Sequence, residues 1–243
     1  MGLAVGGKDM AATLERAKIK PAPESVSREA AVFRAMELLG DGACMRIGGV
    51  SWDDYLAFDA WRDKLRPKLK LAYSDGELEF MTTSYDHDSE SRALGFALAA
   101  IARVFGTLCK PAGSMTIRKK LKKKGIEPDE CYYLSTPSPA RGTGVLNLKV
   151  HSVPDLAIEV DRANSSLPKL PIYAALGIPE LWRLEGNSWV FYVLQKDGVY
   201  AKAKASKSFP KVKSLDFSRF FFSADWNDVN NLMDATRDWA AKL

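Results

Sequence analysis

The chain has 243 residues, of which 47% are hydrophobic, 10% aromatic and 27% charged. Those proportions suit one globular domain, with or without a terminal extension, and exclude a wholly disordered chain. Lys and Arg number 35 against 30 Asp and Glu, a net charge of +5 that is compatible with an anionic partner; no apolar stretch reaches the roughly 18–20 residues of a membrane span.

Residues 1–27 are rich in Gly, Ala, Lys and Pro and are expected to be a flexible N-terminal extension; residues 28–243 are expected to be a single domain. Apolar positions recur at helical spacing over 28–40, and a short strand is expected over 43–47. Ser51 can cap a helix whose first turn holds Asp53 and Asp54. Two alternating runs flank Ser74–Asp75–Gly76 and predict a hairpin over 69–83. A largely apolar helix follows over 88–106. Strands are expected over 109–119, 128–134 and 153–161, then a short helix over 167–176 closed by Gly177. Three more strands are expected over 180–184, 189–194 and 200–205, and an amphipathic helix over 224–242. The order predicts an α/β (α+β) domain.

The three cysteines, Cys44, Cys109 and Cys131, are scattered, with no CxxC pair, which argues against a disulfide framework and a thiolate zinc site. The two histidines, His87 and His151, are too few for a histidine cluster. A metal would have to rest on carboxylates, which favours a hard ion such as Mg²⁺ (or Mn²⁺). The N-terminal segment has no basic stretch followed by an apolar run, and the expected location is cytoplasmic.

The strand "PDLAIEVD" carries the strongest chemical signal. Alternation puts Asp155, Ala157, Glu159 and Asp161 on one face and Leu156, Ile158 and Val160 on the other. A row of like charges costs stability unless cations stand nearby. Asp129, at a strand start in "EPDE", can share one ion with Glu159 if the two strands are neighbours. Lys169 and Tyr173 lie four apart on the following helix and face the same side. A lysine at a helix start opposes the dipole. Acids that hold an ion, with a lysine that orients water or neutralises a developing charge, suit phosphodiester hydrolysis. The acids read equally well as turn residues and an exposed strand face, and Lys169 as a surface lysine.

Residues 118–124 hold six cations in seven positions, Arg118, Lys119, Lys120, Lys122, Lys123 and Lys124. They suit either a grip on a phosphate backbone or a solubilising hairpin loop. His87 reads either as an auxiliary base or ligand, or as part of a helix N-terminus.

The segments "YSDGELEFMTTSYDH", "GIEPDECYYL" and "VPDLAIEVDRANSSLPKLPIYAALGIPELWRL", with "SFP", resemble the Uma-type endonuclease family of the PD-(D/E)xK superfamily over roughly residues 51–216. The resemblance implies a restriction-endonuclease-like core, a central mixed β-sheet flanked by helices, with an extra N-terminal hairpin and helices. It implies an Mg²⁺-dependent endonuclease site acting on DNA, in which Asp129, Asp155 and Glu159 match the family's acids and Lys169 its helix lysine. The superfamily's usual lysine position holds Asp161 here. Glu77 and Glu79 match supporting positions. Two alternatives stand beside this reading: a nuclease fold that binds nucleic acid without cutting it, and a regulatory homodimer with an interface from Trp182, Trp189, Phe220, Phe221 and Phe222.

Overall fold

Ser51 and Asp54 cap each other at the start of the first helix. The Asp54 amide donates to Ser51 Oγ at 3.1 Å, and the Ser51 amide donates to Asp54 Oδ2 at 3.1 Å, a reciprocal capping box. Helix α1 (Trp52–Leu65) follows. The architecture comes from a computed structural model that describes residues 40–65, 69–135, 138, 148, 150–161 and 168–243. The expected N-terminal extension and the helix over 28–40 lie outside the described residues, apart from Gly40.

The hairpin forms as expected: β2 (Leu69–Ser74) and β3 (Glu77–Thr82) pair antiparallel. Asp75 and Gly76 turn the chain with φ of 51° and 95°, the left-handed pair that a two-residue hairpin requires. The hairpin is no appendage. It is the centre of a five-stranded sheet in the order β1-β3-β2-β6-β5, with β1 (Cys44–Ile47), β5 (Ile117–Lys119) and β6 (Lys124–Ile126).

A second sheet has six strands in the order β11-β10-β9-β8-β7-β4. Its members are β4 (Lys110–Pro111), β7 (Glu130–Tyr133), β8 (Leu156–Asp161), β9 (Glu180–Glu185), β10 (Ser188–Leu194) and β11 (Tyr200–Ala203). β8 and β9 are parallel and the other pairs antiparallel, so this is a mixed sheet. Helix α3 (Lys169–Leu176) lies between β8 and β9 in the chain, as a parallel connection requires. Helices α2 (Tyr85–Val104), α4 (Ser214–Ser223) and α5 (Val229–Ala240) complete the described elements.

Three expectations differ from the fold. The strand over 109–119 is two strands in different sheets, and between them Gly113 turns the chain with a φ of 65°. The basic run does not form one loop. It spans β5, a 3₁₀ turn at Lys120–Lys122 and β6. The C-terminal helix starts later than expected, at Val229, where Asp228 caps α5 through the Asn230 amide at 2.8 Å, and an unexpected helix, α4, precedes it with Phe217 and Phe221 buried four apart.

β8 is buried on both faces. Leu156, Ile158 and Val160 meet α2, α4 and α5, and Trp182, Phe191, Phe217 and Phe221 join that cluster. Ala157 and Cys131 meet Ile172 and Tyr173 of α3 together with Ala72, Ile117 and Ile126 of the first sheet. The aromatic interface patch is therefore corrected: Trp182, Trp189 and Phe221 are core, and Phe220 and Phe222 pack against it. Burial of such large rings, at about 1.5–3 kcal/mol for each side chain, holds them inside.

Candidate active site

The β7–β8 register pairs Glu130 with Ile158. One residue further, the Asp129 amide donates to Ile158 O at 3.1 Å, which puts Asp129 opposite Glu159. The Val160 amide returns a hydrogen bond to Asp129 Oδ2 at 2.6 Å. Alternation sends both carboxylates to the face that Ala157 and Cys131 share with α3, not to the face packed on α2. Both are buried, Asp129 6% and Glu159 1% exposed.

Buried carboxylates need partners, and four side chains supply them. Lys70 of β2 reaches Asp129 Oδ1, and His87 of α2 lies with Nε2 3.0 Å from Asp129 Oδ2. Lys169 Nζ lies 2.5 Å from Glu159 Oε2, and the Tyr173 hydroxyl donates to Glu159 Oε1. Lys169 and Tyr173 stand one helical turn apart on α3, so a single helix face clamps both oxygens of Glu159.

The electrostatics follow from those contacts. Burial pushes the Asp129 carboxyl up, but Lys70, then His87 and Lys169, outweigh it and hold the group well below the usual carboxylate range. Burial lowers the His87 imidazole, and the hydrogen bond and charge of Asp129 reverse that and raise it. Burial and the facing Glu159 push the Tyr173 phenol far up, so it remains a donor.

Asp129, Glu159, Lys169, Tyr173 and His87 thus meet at one place. His87 does so from the first turn of α2, where its amide also donates to the cap Ser84 Oγ at 3.3 Å. Asp155 has a different position. Its carboxylate accepts from the Leu134 and Ser135 amides at 2.7 and 2.9 Å, at the far end of β8. Four residues of strand, about 13 Å, separate it from Glu159. Asp161 ends β8, and its side chain is outside the described residues. Glu77 pairs with Arg46 at 2.6 Å at the partly exposed edge of the first sheet, away from Asp129. The hairpin carries the basic run away from the carboxylates. Arg118 is bound to Asp59, Lys124 to Asp75 at 2.5 Å, and Lys120 stands 3.8 Å from Asp53.

A cleft of about 510 Å³ opens onto Asp129. Its walls carry the cations Arg62, Lys70 and Arg92, the hydroxyls of Ser91 and Thr116, and the acids Glu127 and Glu130. Arg62 is buried and binds Asp59 at 2.8 Å, Glu127, and the Leu69 carbonyl at 3.2 Å. Glu127 also accepts from Thr116 Oγ1 at 2.7 Å and from the Leu71 amide at 3.3 Å. This network ties α1, β2 and the chain entering β7 into one wall.

Lys70, Arg62, Arg92 and Glu127 were not singled out in the sequence. Lys70 carries a signal, being a lysine on the Ala72 side of a strand whose other side is Leu69, Leu71 and Tyr73. Glu127 and Glu130 bracket Asp129 in "EPDE". Arg62 carries none.

Residues 52–221, which include every residue of this constellation, match the Uma2 family, described as "Putative restriction endonuclease". The chain belongs to the Uma2 family. A solved protein from Anabaena variabilis, described as "a putative nuclease belonging to DUF820", is 13% identical, with a TM-score of 0.47, covering 77% of this chain and 99% of that one. No curated protein matches the chain. In this Uma2 chain the superfamily's strand lysine is absent, because Asp161 stands two residues after Glu159, and Lys169 reaches Glu159 from the helix instead. No described helix is long and apolar enough to cross a membrane.

Proposed function

We propose that this Uma2 protein is an Mg²⁺- or Mn²⁺-dependent endonuclease of the cytoplasm that hydrolyses phosphodiester bonds in DNA. The observation that carries the reading is the pair Asp129 and Glu159, opposite each other across β7 and β8, with Asp129 opening onto a cleft whose walls carry Arg62, Lys70 and Arg92.

The donor chemistry fits a hard divalent ion. Among the described residues no three His, Cys, Asp or Glu side chains form a metal-holding group, but Mg²⁺ keeps several waters and takes one or two carboxylates plus substrate phosphate oxygens. Asp129 and Glu159 would hold it. When bound, the ion supplies positive charge against the phosphate and lowers the pKa of a coordinated water.

The chain's own residues then divide the remaining work. Lys70 neutralises Asp129 in the free protein, and its ammonium, on the cleft wall, is free to turn to a phosphate oxygen once Asp129 has another cation. Arg62 and Arg92 stand on the same wall paired with Glu127 and Glu130, and since the lining's three cations face four acids, the bound ion would supply the charge that tips the cleft toward a polyanion. Lys169 is 5% exposed and lies against Glu159, not in the cleft, so it acts through Glu159: with Tyr173 it fixes the carboxylate's orientation. His87 does the same for Asp129. Lys119, Lys122 and Lys123, beyond the cleft, extend the cationic surface for flanking phosphates.

A second reading rests on a specific observation. Each carboxylate already has a lysine neutralising it, which suits a fold that holds nucleic acid and does not cut. Plasmid incubated with Mg²⁺ or Mn²⁺ separates the two. Nicking or linearisation that disappears in Asp129→Asn and Glu159→Gln supports the endonuclease. Salt-dependent DNA binding, without cleavage and without heat of Mn²⁺ binding, supports the binding module. Equal activity in wild type and both variants would overturn the site.

A further inference from the structure

The cleft does not end at Asp129. Arg92 and Glu130 line it and also line a second, smaller cavity of about 220 Å³. The rest of that cavity is apolar, with Phe96 and Ala99 from α2, Pro111 from β4 and Tyr132 from β7. Phe96 is 44% exposed, while its helix neighbours Leu94, Leu98 and Ile101 fill the core. Tyr132 lies close against α2 because residue 95 is glycine: a Cβ there would stand 2.6 Å from the Tyr132 hydroxyl. Among the described residues no group hydrogen-bonds that hydroxyl.

We propose that this cavity is a subsite for one unstacked nucleobase of a strand whose phosphate lies in the adjoining cleft. The inference rests on the nucleic-acid reading of the cleft and names how the strand is held there. Aromatic side chains receive splayed bases by stacking, and every base has a face to offer. The volume falls below the roughly 300–1,000 Å³ of pockets that take larger organic ligands, and a single planar ring system suits it. The polar groups stand at the rim. Arg92 lies 3.0 Å from Glu130 at the junction of the two cavities, where a guanidinium can meet a phosphate. The Glu130 carboxylate can accept from an exocyclic amino group such as that of cytosine, and the Tyr132 hydroxyl can give or take one further hydrogen bond.

The test compares two single strands of equal length at one fixed salt concentration in EDTA, one with bases and one wholly abasic, by fluorescence anisotropy. Wild-type protein is expected to bind the base-bearing strand on the order of 10- to 100-fold more tightly than the abasic one. Phe96→Ala is expected to erase that difference and leave abasic binding unchanged, and Phe96→Trp, which keeps a stacking face, to preserve it. Phe96 is half in solvent, and unchanged melting of both variants confirms folding. An undiminished difference in Phe96→Ala, no difference in wild type, or no binding of either strand would each overturn the subsite. Wild-type protein that keeps the difference but never cuts with Mg²⁺ or Mn²⁺ would overturn the endonuclease reading while the subsite stands.

Discussion

The pair Glu159 and Lys169 places two opposite charges almost wholly out of water, with side-chain exposures of 1% and 4%. Removing one partner leaves the other buried and uncompensated, which costs about 3–5 kcal/mol, whereas removing both charges is often neutral. Lys169→Met and Glu159→Gln are each expected to lower the melting temperature strongly, and Glu159→Gln/Lys169→Met to be more stable than either single variant. A double-mutant cycle in urea checks this, and additive losses would show that the two groups do not act as a pair. Asp129 gives the pH counterpart. Its folded-state pKa lies below the unfolded value of about 3.9, since Lys70, His87 and Lys169 overcome the upward pull of burial. The stability that Asp129 contributes is therefore fully present above about pH 4 and drains as pH falls through that value toward the lower folded pKa. Thermal melts in EDTA at descending pH should show a shallower acid decline in Asp129→Asn than in wild type.

At the scale of the element, Gly125 decides how β6 lies on α1. A Cβ at this position would collide with the Tyr55 ring, and Tyr55 is fully buried between Trp52 and Tyr73 at centroid distances of 5.2 and 4.8 Å. Gly125→Ala is expected to destabilise by about 1–3 kcal/mol through overpacking, and Gly125→Ala with Tyr55→Leu to recover part of it. Chemical denaturation of the three proteins measures both. A tolerated Gly125→Ala would mean that the strand is free to shift. The same strand marks where local pattern ends. The Asp75–Gly76 hairpin, the apolar α2 and the alternating β8 are legible because their signals lie within one element. β6 is not, because "KKKGI" reads as a charged loop until a neighbouring strand pairs with it. The acids and the helix lysine are legible for the same reason, by alternation and by one turn of helix. Lys70 and Arg62 reach their acids across 59 and 65 residues of chain, and nothing local announces a partner that distant.

For the whole molecule, charge separates into an inner and an outer set. The inner cations, Arg62, Lys70 and Arg92, line the cleft at Asp129. The outer ones, Lys119, Lys122 and Lys123, project from the β5–β6 hairpin, whose other cations are engaged by Asp59, Asp53 and Asp75. A cation that meets a phosphate releases condensed counterions and steepens the salt dependence of binding by about 0.9 per contact on duplex DNA. If all three outer lysines meet phosphate, Lys119→Gln/Lys122→Gln/Lys123→Gln flattens the slope of log K against log salt by about 2.7. Cleavage at saturating DNA should be unaffected, because none of the three lines the cleft. Lys70→Gln should flatten the slope by no more than about 0.9 yet impair cleavage, because its ammonium stands at the carboxylate that would hold the ion. Binding titrations over a range of salt, paired with single-turnover cleavage, distinguish the two sets. An unchanged slope in the triple variant would mean that the basic hairpin only keeps the protein soluble, and that DNA is gripped within the cleft alone.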